Sequence, residues 1–430
     1  MEDLFVELSA ARVAAVMPLQ HSGNAVDCGV SPKAIAEMSG RSVCVLLFFD
    51  GYKGGAELHS IQLVECLRQR CERVALVVKA GQRSALLNFL RLHGVDASEV
   101  PIDEFPLAED MSWAACRRLF RNYAADIYVC PKGGLGSGSG KLESYARLYG
   151  RRIVTIEHTA PRQPVYADRR FFPRLGYWQF TYRLRRWRRS IGPARIVAVS
   201  CTARNRLVSL FGYPVRRTVA VPNGVATDRF RPVASRRDQI RQEQQIPEQA
   251  LVCGMVCRFV DAKAIDVAIR AFESVALASI ETSPYLLIYG DGPLKSTLIE
   301  QSQATAISDK IRWMGATSEP WNVYPAFDLF LLSSRQEGLP LGLLEAMACG
   351  CAPVATPVGG VPDVIRHQEN GFLAHSIEPA DYDATLTRAM RTPRPDLQEI
   401  SRRAMETICK SYELSIQMNR LCDEIFEACG

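Results

Sequence analysis

The stretch SSRQEGLPLGLLEAMACGCAPVATPVGG, residues 333–360, combines signals for a helix with two glutamates and paired glycines. Pro340 suits the first turn of a helix and Gly350 suits its end, so the sequence predicts a helix between them. Glu337 then lies in the loop before this helix, and Glu345 lies on its second turn. The two carboxylates therefore do not share one helix face, as a metal-binding or proton-shuttling pair does.

Carboxylates in these two places suit a ligand with paired hydroxyl groups. A carboxylate accepts hydrogen bonds from hydroxyls such as those of sugars and riboses. The start of the helix carries a partial positive charge, so its backbone amides favour a phosphate. The residues with these amides are Gly338, Leu339, Pro340 and Leu341, of which the proline has no N–H. The stretch therefore predicts one side of a site for a phosphorylated sugar or nucleotide.

Around this stretch, short apolar runs alternate with amphipathic helical segments. The runs of the first series are at 43–49, 73–78, 126–130, 152–156 and 195–199, and those of the second are at 251–256, 285–290, 328–334 and 352–356. Near-continuous apolar strands separated by helices are typical of parallel sheets that are covered on both faces. The sequence therefore predicts an α/β protein with two Rossmann-like domains.

The domain boundary is predicted within residues 221–238, where Pro, Asn, Gly and charges interrupt the apolar rhythm. The expected division is an extension of unknown role at 1–40, a first domain at 41–225, a second domain at 226–410 and a terminal helix at 411–430. Ligands of open parallel sheets bind beyond the carboxyl ends of the strands. Two such domains that face each other enclose a binding cleft.

Composition limits the classes of function. A chain of 430 residues that is 47% hydrophobic exceeds one ordinary core, and a net charge of +6 is weak support for nucleic-acid binding. The 14 cysteines form no C-x-x-C pair, which favours a reduced cytosolic protein. No apolar run approaches the roughly 18 residues of a membrane helix. The N-terminus starts acidic and lacks a basic leader, so we expect a cytoplasmic location.

Two glycine-containing loops follow strands of the first domain. Gly54 and Gly55 form a turn before a helix, and amides at such a helix start suit a phosphate, although these glycines alone favour a simple strand-to-helix turn. The stretch KGGLGSGSGK at 132–141 is similar to a nucleotide-binding P-loop. It departs from that motif at Leu135, where a glycine is required, and at Leu142, where Ser or Thr must bind magnesium. We interpret it as a loop.

Two further features of the first domain have a functional and a structural interpretation. His158 follows a predicted strand, where its ring opens into the cleft, yet a histidine there also serves as an ordinary hydrogen-bonding loop residue. Residues 177–191 predict a basic amphipathic helix. This helix either contacts anionic lipid head groups or packs its apolar stripe on its own sheet with the arginines in solvent.

The second domain has a pair of cations just past its first strand. Arg258 and Lys263 are five positions apart in a short loop, which allows both side chains to point at one ligand. Fixed cations hold a diphosphate, and they stabilise it most when it departs with additional negative charge. A surface loop with salt bridges is the structural alternative.

Taken together, these motifs resemble those of the family 4 retaining glycosyltransferases, which have the two-Rossmann GT-B fold. The resemblance runs from about residue 43 to the C-terminus. The motifs occur in the order GGAE at 54–57, EHT at 157–159, VPNGV at 221–225, RFVDAK at 258–263, GDGP at 290–293 and the E-x7-E pair. The family also implies that the terminal helix returns to the first domain.

The resemblance implies a role for each matching position. Arg258 and Lys263 hold the diphosphate of the donor, Glu345 binds the nucleotide ribose, and Glu337 binds hydroxyls of the transferred sugar. His158 lies near the reaction centre against the donor sugar. The loop at Gly54 and Gly55 closes on the phosphates.

The implied activity is metal-independent transfer of a hexose-type sugar from a nucleotide sugar to a glycan or a lipid-linked glycan, with retention of anomeric configuration. Such a step belongs to cell-surface polysaccharide or glycolipid biosynthesis. No cofactor and no nucleic-acid partner are expected. The alternative is a non-catalytic protein of the same fold that binds a nucleotide sugar or a partner. Cys257 and Ala264 depart from the family, which usually has glycine there, and Ala264 has less backbone freedom than glycine beside Lys263.

Overall fold

The computed structural model describes residues 40–49, 54–92, 101–106, 112–133, 140–159, 193–278 and 284–428. Over these ranges the chain forms one sheet of seven strands and a second sheet of six, and every strand pair in both sheets is parallel. The predicted α/β class with two Rossmann-like units is confirmed.

The first sheet and its helices come from the first half of the chain. In order, the elements are β1 (Ser42–Leu47), α1 (Gly55–Arg68), β2 (Arg73–Lys79), α2 (Arg83–Leu92), β3 (Ile102–Phe105), α3 (Trp113–Asn122), β4 (Ile127–Lys132), α4 (Gly140–Leu148), β5 (Arg152–Glu157), β6 (Arg195–Ala198), α5 (Cys201–Ser209) and β7 (Thr218–Ala220).

The second sheet and the closing helices follow. The elements are α6 (Ala234–Glu243), β8 (Val252–Val256), α7 (Ile265–Ala278), β9 (Tyr285–Tyr289), α8 (Lys295–Gln303), β10 (Ile311–Gly315), β11 (Leu329–Leu332), α9 (Leu341–Ala348), β12 (Ala352–Ala355), α10 (Val361–Val364), β13 (Phe372–Leu373), α11 (Pro379–Met390), α12 (Arg394–Ser411) and α13 (Leu414–Glu427).

Four strands of the structure, β3, β7, β10 and β13, are absent from the apolar runs of the sequence. The strand orders are β3-β2-β1-β4-β5-β6-β7 and β10-β9-β8-β11-β12-β13, so these four strands are the edges of the two sheets. An edge strand is covered less completely than a central strand, so its sequence does not need a continuous apolar run. Strand β3 shows this, because its two acidic residues are exposed between buried Ile102 and Phe105.

The order of the strands places the cleft. The chain runs outward from β1 to β3 and then returns to β4 on the other side of β1, and β8 and β11 repeat this reversal in the second sheet. Such a reversal opens a crevice at the carboxyl ends of the two neighbouring strands. The carboxyl ends of β1, β4, β8 and β11 therefore mark the place where a ligand is expected.

The terminal helix α13 packs against α1 of the first half. Arg195 at the start of β6 donates to Glu424 Oε2 at 2.6 Å and to Glu427 Oε2 at 2.7 Å. Where the chain crosses between the two halves, Leu414 N donates to Val225 O at 3.0 Å. The C-terminal helix thus returns to the first domain, as predicted.

Two local details differ from the predictions. Helix α9 begins at Leu341, and Pro340 is the residue just before it rather than part of its first turn. Strand β4 continues through Lys132, which pairs with Glu157 Oε1 at 3.2 Å, so the first residue of the P-loop-like stretch is a paired strand residue. Residues 134–139 of that stretch are outside the described residues. Within the described ranges, no helix combines the length and apolar character needed to cross a membrane.

Candidate active site

A cavity of about 450 Å³ lies between the two halves of the molecule. Its lining includes ten residues that the sequence predicted for the site: Gly54, Gly55, His158, Arg258, Lys263, Glu337, Gly338, Leu339, Pro340 and Leu341. Glu345 is the predicted site residue that is not part of this lining. The structure therefore brings the predicted first-domain and second-domain positions together at one cavity.

The loop that carries the two cations is held on both sides. Phe259 N donates to Asp291 O at 2.8 Å, which ties the loop to the GDGP segment after β9. Ser333 Oγ donates to Ala264 O at 2.8 Å, and Arg335 N donates to Ala262 O at 2.8 Å. Ala264 itself has φ of +47°, a left-handed conformation that favours glycine. These contacts fix the loop after β8 against the loop after β11.

Lys263 and Glu337 form an ion pair inside the cavity wall. Lys263 Nζ lies 2.6 Å from Glu337 Oε1, and the Glu337 side chain is only 9% exposed. Ser334 Oγ donates to the same carboxylate oxygen at 2.6 Å. The two predicted ligand-binding groups of the second domain therefore hold each other in position.

Arg258 faces an acidic group of the first domain. Its side chain is exposed at the cavity, and no ion pair involving it is found in the described part of the chain. Glu57 stands in the first turn of α1 and also lines the cavity. Burial raises the pKa of the Glu57 carboxyl above its usual range, while a backbone hydrogen bond and the Arg258 charge oppose this rise. The guanidinium thus remains available to a ligand.

Two helices begin at the cavity from opposite sides. A Cβ on Gly55, the first residue of α1, would lie 3.2 Å from Leu341 Cδ1 at the start of α9. The first N–H groups of a helix have no partner within it, and the helix dipole adds a partial positive charge there. The two helix starts and the two cations together favour a bound anion.

Gly338 makes a close contact between the two walls. A Cβ on this residue would lie 1.8 Å from the carbonyl oxygen of His158 and 3.4 Å from Thr159 Cα. Any larger residue therefore has to displace the first-domain backbone. The glycine next to Glu337 is thus required by the approach of the two domains.

His158 is a buried, neutral imidazole at the end of β5. Its ring meets the ring of His59 edge to face, with centroids 4.9 Å apart. Burial, and then the neighbouring His59, hold the pKa of His158 well below its usual range. His158 Nε2 has no hydrogen-bond partner among the described residues and belongs to the cavity lining. A ligand hydroxyl is a suitable partner for this nitrogen.

Glu345 occupies a different environment from Glu337. It is buried on α9, where Tyr324 Oη donates to Glu345 Oε2 at 2.8 Å. Burial raises the pKa of the Glu345 carboxyl to about 7, opposed by the Tyr324 hydrogen bond and by Arg229. The structure thus places this predicted ribose ligand behind the lining of the cavity.

Two family models match this chain in sequence. The model described as Glycosyltransferase Family 4 matches residues 53–229, and the model described as Glycosyl transferases group 1 matches residues 236–407. The chain belongs to glycosyltransferase family 4. The two matches cover the predicted first and second domains of the glycosyltransferase in turn.

Curated relatives align over part of the length of this chain. The N-acetyl-alpha-D-glucosaminyl L-malate synthase of Bacillus anthracis is 33% identical over 135 residues, which are 31% of this chain and 35% of the relative. The D-inositol 3-phosphate glycosyltransferase of Thermomonospora curvata is 30% identical over 218 residues, or 47% of this chain and 50% of the relative. The chain spans half or less of the length of these curated relatives.

Solved structures are similar over most of the chain. The crystal structure of Anabaena Alr3699/HepE in complex with UDP has a TM-score of 0.70 at 16% identity, and the match covers 90% of this chain and all of the other. The structure of a glycosyltransferase from Rickettsia africae has a TM-score of 0.72 at 15% identity and covers 90% and 98% of the two chains. The GT-B fold is confirmed.

Three of the polar lining residues that were not predicted from the sequence stand close to predicted positions. Glu57 and Asn223 belong to the GGAE and VPNGV motifs, and Ser334 precedes Glu337 by three positions. Asn223 Nδ2 donates to Leu339 O at 2.7 Å across the two domains, and its buried Oδ1 has no partner in the described ranges. The signal for the first two was their place inside quoted motifs. The basic segment 177–191 is outside the described residues.

Proposed function

We propose that this family 4 member is a retaining, metal-independent hexosyltransferase. In this proposal it moves a sugar from a nucleotide-sugar donor to a glycan or a lipid-linked glycan, in the biosynthesis of a cell-surface polysaccharide or glycolipid. The observation that supports it best is the cavity in which Arg258, Lys263 and two helix starts surround a space large enough for a donor.

The donor diphosphate fits between the two cations. Arg258 and the Lys263 ammonium contact its oxygens, and the amides at the starts of α1 and α9 add neutral donors. As the sugar leaves, negative charge accumulates on the diphosphate. Cations that are already fixed in position stabilise that charge without further rearrangement, so they favour the transition state over the bound donor.

The sugar and the ribose meet the carboxylates. Glu337 accepts hydrogen bonds from hydroxyls of the transferred sugar, while its ion pair with Lys263 links sugar binding to diphosphate binding. Glu345 stands on the second turn of α9, behind the cavity lining, and in this proposal it binds the ribose. His158 Nε2 contacts a hydroxyl of the donor sugar from the first domain.

The reaction then needs no covalent enzyme intermediate. The bond between the anomeric carbon and the diphosphate oxygen breaks, and the acceptor oxygen forms a bond to the same face of that carbon. The acceptor proton passes to the departing diphosphate. The charge on the leaving group is balanced by Arg258 and Lys263 in place of a metal, so we expect turnover to persist in EDTA.

The test is a screen of UDP, GDP and ADP sugars by thermal shift, followed by an assay of nucleoside diphosphate release. UDP sugars are the first choice because the similar Anabaena protein was crystallised with UDP. We expect one donor to raise the melting temperature, with slow release that becomes faster when a glycan acceptor is added. Absence of release with every donor and acceptor would overturn the proposal.

The non-catalytic alternative gives a different result in the same experiment. A binding module is stabilised by a nucleotide sugar, but it releases no nucleoside diphosphate above the rate of a Lys263→Ala control. The binding and release assays therefore separate the two functions.

Contact with an anionic membrane remains a prediction that rests on the basic segment 177–191. Sedimentation with anionic liposomes should weaken when Arg185, Arg186, Arg188 and Arg189 are neutralised. Equal sedimentation of this variant and the unmodified protein would contradict the contact. The cytoplasmic location is likewise a prediction.

A further inference from the structure

The contact between α13 and α1 contains a pair of thiols. Cys422 Sγ donates its S–H to Cys66 Sγ at 3.4 Å, although the two residues are 356 positions apart. Cys422 is fully buried, whereas Cys66 is partly exposed. The pair therefore joins a buried cysteine of the terminal helix to a partly exposed cysteine of the first domain.

The surroundings give the two sulfurs different roles. Arg70 lies one turn after Cys66, and Asn419 and Asp423 of α13 hold its guanidinium. The hydrogen bond that the Cys422 thiol donates lowers the pKa of Cys66, and the positive charge of Arg70 lowers it further. Burial and the negative charges of Asp423 and Glu65 oppose this shift. The hydrogen bond to Cys66, followed by burial, raises the pKa of Cys422. The hydrogen bond from Cys422 and the direction of these pKa shifts favour Cys66 as the attacking sulfur and Cys422 as the proton donor.

A third cysteine nearby does not share this arrangement. Cys71 follows α1, and burial raises the pKa of its thiol to about 11. It therefore stays a thiol at neutral pH and does not compete as a nucleophile. Its position five residues after Cys66 makes it the internal control for selectivity.

We propose that Cys66 and Cys422 are a disulfide-forming site that fastens the terminal helix to the first domain when the protein meets a low-molecular-weight disulfide. The Cys66 thiolate attacks one sulfur of oxidised glutathione, breaks that S–S bond and releases one glutathione thiolate. The Cys422 thiol gives its proton to the released thiolate and attacks Cys66 Sγ, which expels the second glutathione. Two protein thiols are oxidised, and one glutathione disulfide is reduced to two thiols.

The geometry allows the second step. The sulfurs have to approach by about 1.4 Å to reach the length of a disulfide, and side-chain rotation on two packed helices supplies movements of this size. The preceding helix α12 packs against α9 of the second half. A Cys66–Cys422 disulfide therefore attaches the terminal helix covalently to the first domain.

The experiment is oxidation of the full chain with oxidised glutathione at pH 8, followed by alkylation and peptide mass spectrometry. We expect a cross-linked peptide that contains Cys66 and Cys422. The melting temperature should rise by about 4 °C or more, because the bond closes a loop of more than 350 residues in the unfolded chain. Dithiothreitol should reverse both effects.

Three variants make the test selective. Cys66→Ser and Cys422→Ala should abolish the cross-link and the rise in melting temperature. Cys409→Ser, at an exposed cysteine of α12, should retain both. A stable glutathione adduct on Cys66, a Cys66–Cys71 bond, or a cross-link without any rise in melting temperature would each overturn the proposal.

Discussion

The two walls of the cleft differ in the exposure and ion pairing of their titratable side chains. The second-domain wall keeps Arg258, Lys263 and Glu337 as charged groups, two of them in an ion pair. The first-domain wall buries its titratable groups, so His158 is neutral and burial raises the pKa of Glu57. Ion-paired and exposed charges are thus concentrated where the diphosphate is expected, and the facing wall provides close contacts from buried groups. Six experiments test this contrast.

The largest effect should come from removing the lysine of the charged wall. Lys263→Ala takes away one of two cations expected at the leaving group, and we expect donor cleavage to slow by about 100- to 1,000-fold. The measurement is the release of nucleoside diphosphate under saturating donor. Lys295→Ala, which removes an exposed lysine paired with Asp291, is the matched control and should retain activity.

A double variant separates the effect of Lys263 on activity from the effect of its ion pair with Glu337 on stability. Lys263→Ala leaves the carboxylate of Glu337 mostly buried without its cation, so the free energy of unfolding should fall. Adding Glu337→Gln removes the unpaired charge and should restore much of that stability without restoring activity. Recovery of activity in the double variant would contradict the role assigned to the cations.

The contact between the walls can be broken at one glycine. Gly338→Ala forces the His158 carbonyl away, because the new Cβ would lie 1.8 Å from it. A displacement of about 1 Å between reacting groups costs about 100-fold in rate, so we expect a loss of that order in kcat/KM. Gly133→Ala is the control, since its Cβ would meet nothing nearer than Phe49 Cε1 at 3.9 Å. Similar rates for both variants would show that the close contact is dispensable.

Glu345→Gln should separate stability from donor binding. Burial raises the pKa of Glu345 from 4.5 to about 7, so the folded state favours the protonated form. Its contribution to stability is complete below pH 4.5 and is lost as pH rises through 7. At pH 8 the ionised carboxylate costs about 3 kcal/mol, and the glutamine variant should unfold less readily there.

A measurement of Glu345→Gln at a lower pH is the control for this prediction. At about pH 3.5 the two proteins should have similar free energies of unfolding, because the carboxyl is then mostly protonated in both the folded and the unfolded state of the unmodified protein. Donor affinity should fall in the variant if the ribose binds this carboxylate. A variant that is no more stable at pH 8 would show that the carboxylate is ionised at little cost.

The buried histidine His59 predicts that the protein loses stability as the pH falls. Burial lowers the pKa of His59 from 6.5 to about 4, so its contribution to stability is complete above pH 6.5 and is lost as pH falls toward 4. At pH 5 the loss amounts to about 2 kcal/mol. His59→Gln should therefore lose less stability than the unmodified protein between pH 7 and pH 5 in denaturant titrations. An unchanged pH slope would mean that the imidazole is not buried in the neutral form.

The smallest effect concerns the backbone beside Lys263. Ala264→Gly loses a buried methyl group worth about 0.8 kcal/mol but relieves a left-handed alanine, so the free energy of unfolding should change by less than about 1 kcal/mol. Ala268→Gly removes an equally buried methyl from the interior of α7 and should cost about 2 kcal/mol. Equal losses in the two variants would show that Ala264 is not strained.

Much of the architecture was predictable from local pattern. The central strands of both sheets are nearly continuous apolar runs because helices cover both of their faces. Polar motif residues follow these strands directly, and parallel strands end at one edge of a sheet. The α/β class, the cleft and ten of the eleven site positions at its cavity therefore follow from the order of residues along the chain.

Other features depend on segments that are distant in sequence. The four edge strands have weak apolar patterns and are defined by their neighbours. Lys263 reaches Glu337 over 74 positions, Tyr324 covers Glu345 on α9, and Cys66 meets Cys422 over 356. Burial, pKa and ion pairing arise from packing between such segments, which local periodicity does not encode. Glu337 and Glu345 stand in one stretch of sequence. Only the tertiary structure shows that Glu337 forms an ion pair with Lys263 and that burial raises the pKa of Glu345.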